Sequence, residues 1–190
     1  FHPLILGTFQ NRMEKMNFIV DLVVTRHLTT FTHSVMVSYL AEAIGKHILA
    51  ARPELLRIPS SYLEGNVYAS PAEVLDYIVP AALFHDIGKN GMIPIINTQH
   101  RKLNDYEFNI IQTHPQKGSD YLSSDPDFLI YQPVALGHHR SYDGTRGYPL
   151  SFDNTASPYR DAIDLIHICD CLDAATDYLS RNYHRAKPFD

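Results

Sequence analysis

The chain has 190 residues, 45% hydrophobic and 19% charged, with nine Gly, twelve Pro and two Cys, a composition that excludes collagen-like, low-complexity and disulfide-scaffold classes and fits an ordinary soluble globular domain. Sixteen Lys and Arg against 21 Asp and Glu give a net charge of -5, so no basic field of the kind that drives non-specific nucleic-acid binding exists and no DNA binding is expected. A chain of this length buries roughly two-thirds of its surface without metal or disulfide staples, so a bound metal serves chemistry rather than folding.

The periodic segments read helical. Phe9 to Arg26 places Phe9, Met13, Met16, Ile19, Val20 and Val23 at three- and four-residue steps, and residues 1–27 suit a linker helix. Phe31 to Ala50 carries Met36, Val37, Leu40, Ala43, Ile44, His47 and Ile48 on a second stripe that includes His33. A polar loop with Pro and Gly covers Arg52 to Ala69. Ser70-Pro71-Ala72-Glu73 then supplies an N-cap, a Pro at the first helical position and a reciprocating Glu, predicting a helix to about Phe84 or Asp86. Asn104-Asp105-Tyr106-Glu107 repeats that logic, and Pro115 and Pro126 mark the first turns of two further helices. Ser157-Pro158 opens the last long helix, with Ile163, Ile166, Asp170 and Ala174 on one face and Leu165, Cys169, Leu172 and Leu179 on another. Alternating β-branched runs are absent, so the expected class is all-α, a single bundle of about seven helices spanning residues 1–190.

Cys169 and Cys171 stand two apart, which on a helix points them to different faces, so no bridge is expected and a reducing cytoplasm suits the chain. No apolar stretch approaches a membrane span. The chain begins at Phe1 and closes on the basic stretch Arg185-Ala186-Lys187-Pro188, which reads as a segment of a longer protein, a membrane-tethered sensor among the options.

Eleven His are the composition's oddity, because imidazole titrates near neutrality and is the commonest metal ligand. His33, the pair His85-Asp86, His114, the pair His138-His139 and Asp170 come from five separate segments that only a fold can collect. Adjacent His85 and Asp86 at the end of an apolar helix are costly to bury unless a cation satisfies both. Imidazole with carboxylate suits Fe, Mn, Zn, Co or Ni, whereas Mg and Ca favour all-oxygen shells.

In order, His33-Ser34, His85-Asp86-Ile87-Gly88-Lys89, His114-Pro115-Gln116-Lys117-Gly118, His138-His139, Asp143-Gly144, Gly147-Tyr148-Pro149 and Asp170 resemble the HD-GYP subfamily of HD-domain phosphohydrolases. The resemblance implies a helical bundle with iron or manganese that hydrolyses cyclic di-GMP through a metal-bridging hydroxide, giving linear pGpG, with further cleavage to GMP left open. By position, it implies His33, His85, Asp86 and Asp170 as ligands of one metal, with Asp86 bridging to a second held by His114, His138 and His139. Lys89 then meets a phosphate oxygen, while Arg140, Arg146 and Tyr148 line the substrate entrance. The Gly147-Tyr148-Pro149 loop is also implied as a surface for a protein partner, and a homodimer is compatible.

Three departures from the subfamily pattern stand out. Arg140 replaces a Glu that usually follows the paired His, and the Asp143 to Pro149 loop is one residue longer. Thr29 stands one turn before His33, where members with a third metal carry Glu, so two metals are expected. Hydrolysis of another cyclic dinucleotide or nucleotide, or a catalytically weak binding module, remain alternatives. His167 and Asp173 read as orienting groups or, more simply, as packing and solvated residues; Cys169 and Cys171 read as reduced thiols. His2, His27, His47, His100 and His184 have no partner logic, and His100-Arg101-Lys102 reads as a solvated loop.

Overall fold

Among the described residues the chain forms eight α-helices, joined by turns of 3-10 helix, and no strand. The computed structural model describes residues 2–60, 67–92 and 103–176. The patch His100-Arg101-Lys102, Leu179, His184, the closing Arg185–Pro188 stretch and the side chain of His2 lie outside the described residues. In chain order the helices are α1 (His2–Leu6), α2 (Arg12–Arg26), α3 (Leu28–Ala51), α4 (Pro71–Phe84), α5 (Asp105–Ile111), α6 (His114–Leu122), α7 (Gln132–Gly137) and α8 (Arg160–Thr176). The all-α expectation therefore holds.

Helices α3 and α4 form the central pair, and α8 closes against α3. Their seam is built from small residues: Thr30, Ser34, Ser38, Ala41 and Gly45 are buried on α3. A Cβ on Gly45 would stand 2.5 Å from Ile78 Cδ1, so a larger residue there would push the end of that buried side chain aside. Both predicted capping boxes form, at Ser70 with Glu73 and at Asn104 with Glu107. Phe84, Phe128, Tyr131, Ile78, Ile163 and Ile166 fill the core beneath the site. Helix α2 is fastened to the body at its N-terminal turn, where Arg12 donates to the Tyr131 hydroxyl and Lys15 Nζ reaches Asp125 and Asp127 at 3.0 and 2.7 Å, while further along Ile19 and Val23 are buried.

Several expected helix starts move. The opening helix begins at Arg12 rather than at Phe9, with the Asn11 side chain capping it by accepting from the Glu14 N–H at 3.0 Å. Pro126 opens no helix; Asp125 Oδ1 accepts from the Asp127 N–H at 2.9 Å and the chain turns until α7, whose first turn holds Pro133 instead. Ser157 Oγ accepts from the Tyr159 N–H at 3.2 Å, so the last helix begins at Arg160 rather than at Pro158.

One close contact positions the site. After α4 the chain passes through His85 and Asp86 into a 3-10 turn, Ile87–Gly91. A Cβ on Gly88 would lie 2.0 Å from the His114 carbonyl oxygen and 2.5 Å from the Gly118 N. Glycine at 88 thus lets the His85-Asp86 segment lie directly against the start of α6, which carries His114.

Candidate metal centre

The seven residues expected as ligands converge. His33 comes from α3, His85 and Asp86 from the end of α4, His114 from the first residue of α6, His138 and His139 from the end of α7, and Asp170 from α8. They form two groups whose ligand atoms lie within 4.8 Å of one another: His33 with His85 and Asp170, and Asp86 with His114, His138 and His139. Asp86 stands between them. Its Oδ2 faces His85 Nε2 at 3.5 Å and His33 Nε2 at 3.7 Å, and its Oδ1 faces His114 Nε2 at 3.1 Å and His138 Nε2 at 3.7 Å. His33 Nε2 also lies 3.0 Å from Asp170 Oδ1.

Ring orientation is fixed from behind. His85 Nδ1 donates to the Ala82 carbonyl at 2.6 Å, His114 Nδ1 to Ile111 at 2.7 Å, and His138 Nδ1 to Ala135 at 2.9 Å. His33 Nδ1 meets Asp173 Oδ2 at 2.5 Å. A neutral imidazole holds one ring proton, so each Nδ1–H spent on these acceptors leaves a lone pair on Nε2, aimed inward. The result is a concentration of electron-rich atoms: His114 Nε2 and His138 Nε2 are 3.1 Å apart. Buried His85 Nε2 has no hydrogen-bond partner, and buried His33 Nε2 and Asp86 Oδ1 face only other members of the cluster, Asp170 and His114. Leaving such groups buried and unsatisfied is costly, and divalent cations satisfy them all at once. The donor set therefore fits bound metal.

The electrostatics agree. Burial pushes both His85 and His114 down to about 4, so both are neutral at pH 7, the ligating form. Burial opposes the Asp86 charge, yet Lys89, His85 and His114 together hold that carboxyl well below its usual range. Burial would lower His33, but its hydrogen bonds to Asp170 and Asp173 and the Asp86 charge prevail and hold it up at about 9. Lys89 Nζ donates to Asp86 Oδ2 at 2.5 Å.

Asp173 is the residue that sequence reasoning undervalued: it orients His33 rather than merely facing solvent. His167 likewise donates from Nδ1 to the His138 carbonyl at 2.6 Å, bracing the segment that bears two imidazoles. Both sit one turn from Asp170 on α8, and that spacing was the available signal. Cys169 is buried and Cys171 exposed, both as free thiols.

The loop after His139 folds back over the site. Tyr148 packs its ring on His139, with centroids 4.5 Å apart, and meets the His114 ring edge-on at 6.1 Å. Arg146 is exposed on this loop, whereas Arg140 is turned inward.

Comparisons with known proteins come from three directions. The family described as HD domain matches residues 30–182. A cyclic di-GMP phosphodiesterase of Vibrio cholerae serotype O1 is 27% identical over 149 residues, covering 73% of this chain and 30% of the relative. A 3'3'-cGAMP-specific phosphodiesterase 2 of the same organism is 26% identical over 168 residues, covering 87% of this chain and 31% of the relative. This chain thus spans about a third of the length of these relatives. The crystal structure of the L. monocytogenes phosphodiesterase PgpH HD domain superposes with a TM-score of 0.54 at 20% identity, covering 86% of this chain and 75% of that one, a likeness of fold.

Proposed function

Because the chain belongs to the HD domain family, matched across residues 30–182, we propose that it is a metal-dependent phosphodiesterase that opens cyclic dinucleotides, cyclic di-GMP first among them. The observation that carries this reading is Asp86, whose two oxygens face two separate sets of inward lone pairs. That arrangement supports two cations, Fe or Mn before Zn, Ni or Co, one held by His33, His85 and Asp170 and the other by His114, His138 and His139, with Asp86 shared. Such a pair supplies an acidified water as nucleophile and neutralises phosphate oxygens, which a protein of net charge -5 needs in order to hold a doubly anionic substrate.

The side chains around the pair divide the remaining work. Lys89 already bonds Asp86, and its ammonium is placed to pass to a phosphate oxygen as negative charge grows there. Tyr148, tilted at 34° against His139, offers a ring on which a purine can stack. Arg146, exposed beside it, has the planar fork for a phosphate or a guanine edge. Opening one phosphodiester with loss of the 3' oxygen gives the linear dinucleotide. The whole of residues 1–190 is read as one catalytic unit, since α2 is bonded to the body by Arg12 and Lys15.

A second reading, a different cyclic dinucleotide as preferred substrate, is favoured by the likeness to the 3'3'-cGAMP-specific relative. Both are decided by presenting anaerobically prepared, Fe- or Mn-loaded protein with cyclic di-GMP, 3'3'-cGAMP and cyclic di-AMP and separating the products. Linear product from cyclic di-GMP above a His85→Ala/Asp86→Ala control supports the first; selective cleavage of another member supports the second. Binding without product from any of them makes the chain a sensor module and removes the enzymatic reading.

A further inference from the structure

Arg140 is only 4% exposed, yet its hydrogen bonds run to no carboxylate among the described residues, and the Asp153 carboxylate senses its charge without being bonded to it. A guanidinium buried without a directly bonded counter-charge is expensive, so what it touches is informative. Its Nη1 donates to the Arg146 carbonyl at 2.9 Å and approaches that of Gly147 at 3.4 Å; its Nη2 donates to Gly144. Three carbonyls of a single turn are gathered on one planar fork, which the point charge of a Lys cannot reproduce.

The turn is closed back on the metal centre. Arg140 and Gly147 form an antiparallel bridge, and the Tyr148 N–H reaches the His139 carbonyl at 3.3 Å. Gly147, at φ 86°, lies so close that a Cβ there would be 1.8 Å from the same carbonyl. Tyr148 therefore follows directly from a peptide held by Arg140 on one side and by His139 on the other. Other bonds hold the rim of the turn independently: Asp143 Oδ1 accepts from Ser141 and Thr145, and Asn154 Nδ2 donates to the Ser141 carbonyl at 3.0 Å.

We infer that Arg140 is a positioning residue, not a substrate ligand: it locks the 144–147 turn so that the Tyr148 ring stands against His139 and offers a fixed stacking face to a purine of the substrate. Removing it loosens the 144–147 peptides that carry Tyr148, while the rim bonds of Ser141, Asp143 and Asn154 and the helices keep the rest of the loop and the residues of the cluster in place. The substrate part of this inference rests on the reading above; the ring-placement part does not.

The test has two arms. The chain contains no Trp, so Tyr148→Trp installs a single fluorescent reporter. Adding Arg140→Ala or Arg140→Lys to that variant should shift its emission to the red and raise its quenching by acrylamide, in metal-free protein as well as loaded. In the native-Tyr148 background, Arg140→Lys should retain bound metal, raise KM for cyclic di-GMP about tenfold, a loss on the scale of one base stack, and lose much less against bis(p-nitrophenyl) phosphate, which has no purine. Tyr148→Ala should cost about as much, and the double variant no more. Unchanged emission and quenching, equal losses on both substrates, or additive losses in the double variant overturn the inference. If wild-type protein cleaves no cyclic dinucleotide, the functional reading fails and the fluorescence arm still decides the role of Arg140.

Discussion

Asp86 and the imidazoles around it show how much a single protonation state governs. In metal-free protein His33 is held up at about 9 against its ordinary 6.5, whereas burial keeps His85 and His114 at about 4. A metal must displace the His33 proton, so apparent affinity should climb with pH and level off near 9. Folding stability of the metal-free protein follows the same groups. The raised His33 contributes fully below about 6.5 and loses its contribution as pH rises through about 9; the depressed pair costs stability as pH falls from about 6.5 toward 4, where the unfolded chain takes up protons that the folded one refuses. Asp173→Asn keeps the shape but removes a charge that holds the His33 proton. It should lower the pH at which metal affinity levels off and weaken that affinity by about 10- to 100-fold, as outer groups behind metal-binding His do. Metal titrations at several pH values check both; a pH-independent affinity would contradict this picture. The five His expected as ligands were legible because each belongs to a short motif, whereas Asp173 has no motif and only the fold reveals what its carboxylate faces.

Among the elements, those with chemical punctuation were readable. Ser70 with Glu73 and Asn104 with Glu107 announced two helix starts by reciprocal capping. Pro126 misled because proline is equally at home in a turn, and the neighbouring Asp125 offers its side chain to the backbone as a competing partner. The contact of Gly88 with His114 and Gly118 was invisible for a different reason: it joins segments far apart in the chain, and periodicity reports only on one element at a time. It carries a prediction at this scale. Gly88→Ala places a methyl 2.0 Å from a backbone oxygen, so the 3-10 turn must move off α6. Overpacking of that kind typically costs about 1–3 kcal/mol, and here it also separates Asp86 from His114. Thermal unfolding should show lower stability, and the variant should lose metal even where it remains folded; full metal retention would mean that the site is not held by this contact.

At the scale of the whole molecule, five segments deliver the expected ligands to one point because α3, α4 and α8 pack around a shared core while α6 and α7 close over it. That all-α packing was foreseeable from composition and 3.6-residue stripes. The mouth of the site was less so: Arg140 and Arg146 are the same residue type six positions apart, yet one is buried as a clamp and the other exposed, a difference that depends on where the loop closes. No described helix is long and apolar enough to cross a membrane. On the proposed function, the net charge of -5 leaves the attraction for an anionic substrate to cations that the histidines would hold. The most direct test of that claim is elemental analysis paired with product chromatography on one anaerobic preparation. Two metal equivalents per wild-type chain, falling to about one in His114→Ala/His138→Ala and to near none in Asp86→Ala, with linear dinucleotide formed only by the two-metal protein, is the expected result. Undiminished product from protein holding fewer than two metals, or unchanged metal content after Asp86→Ala, would contradict it.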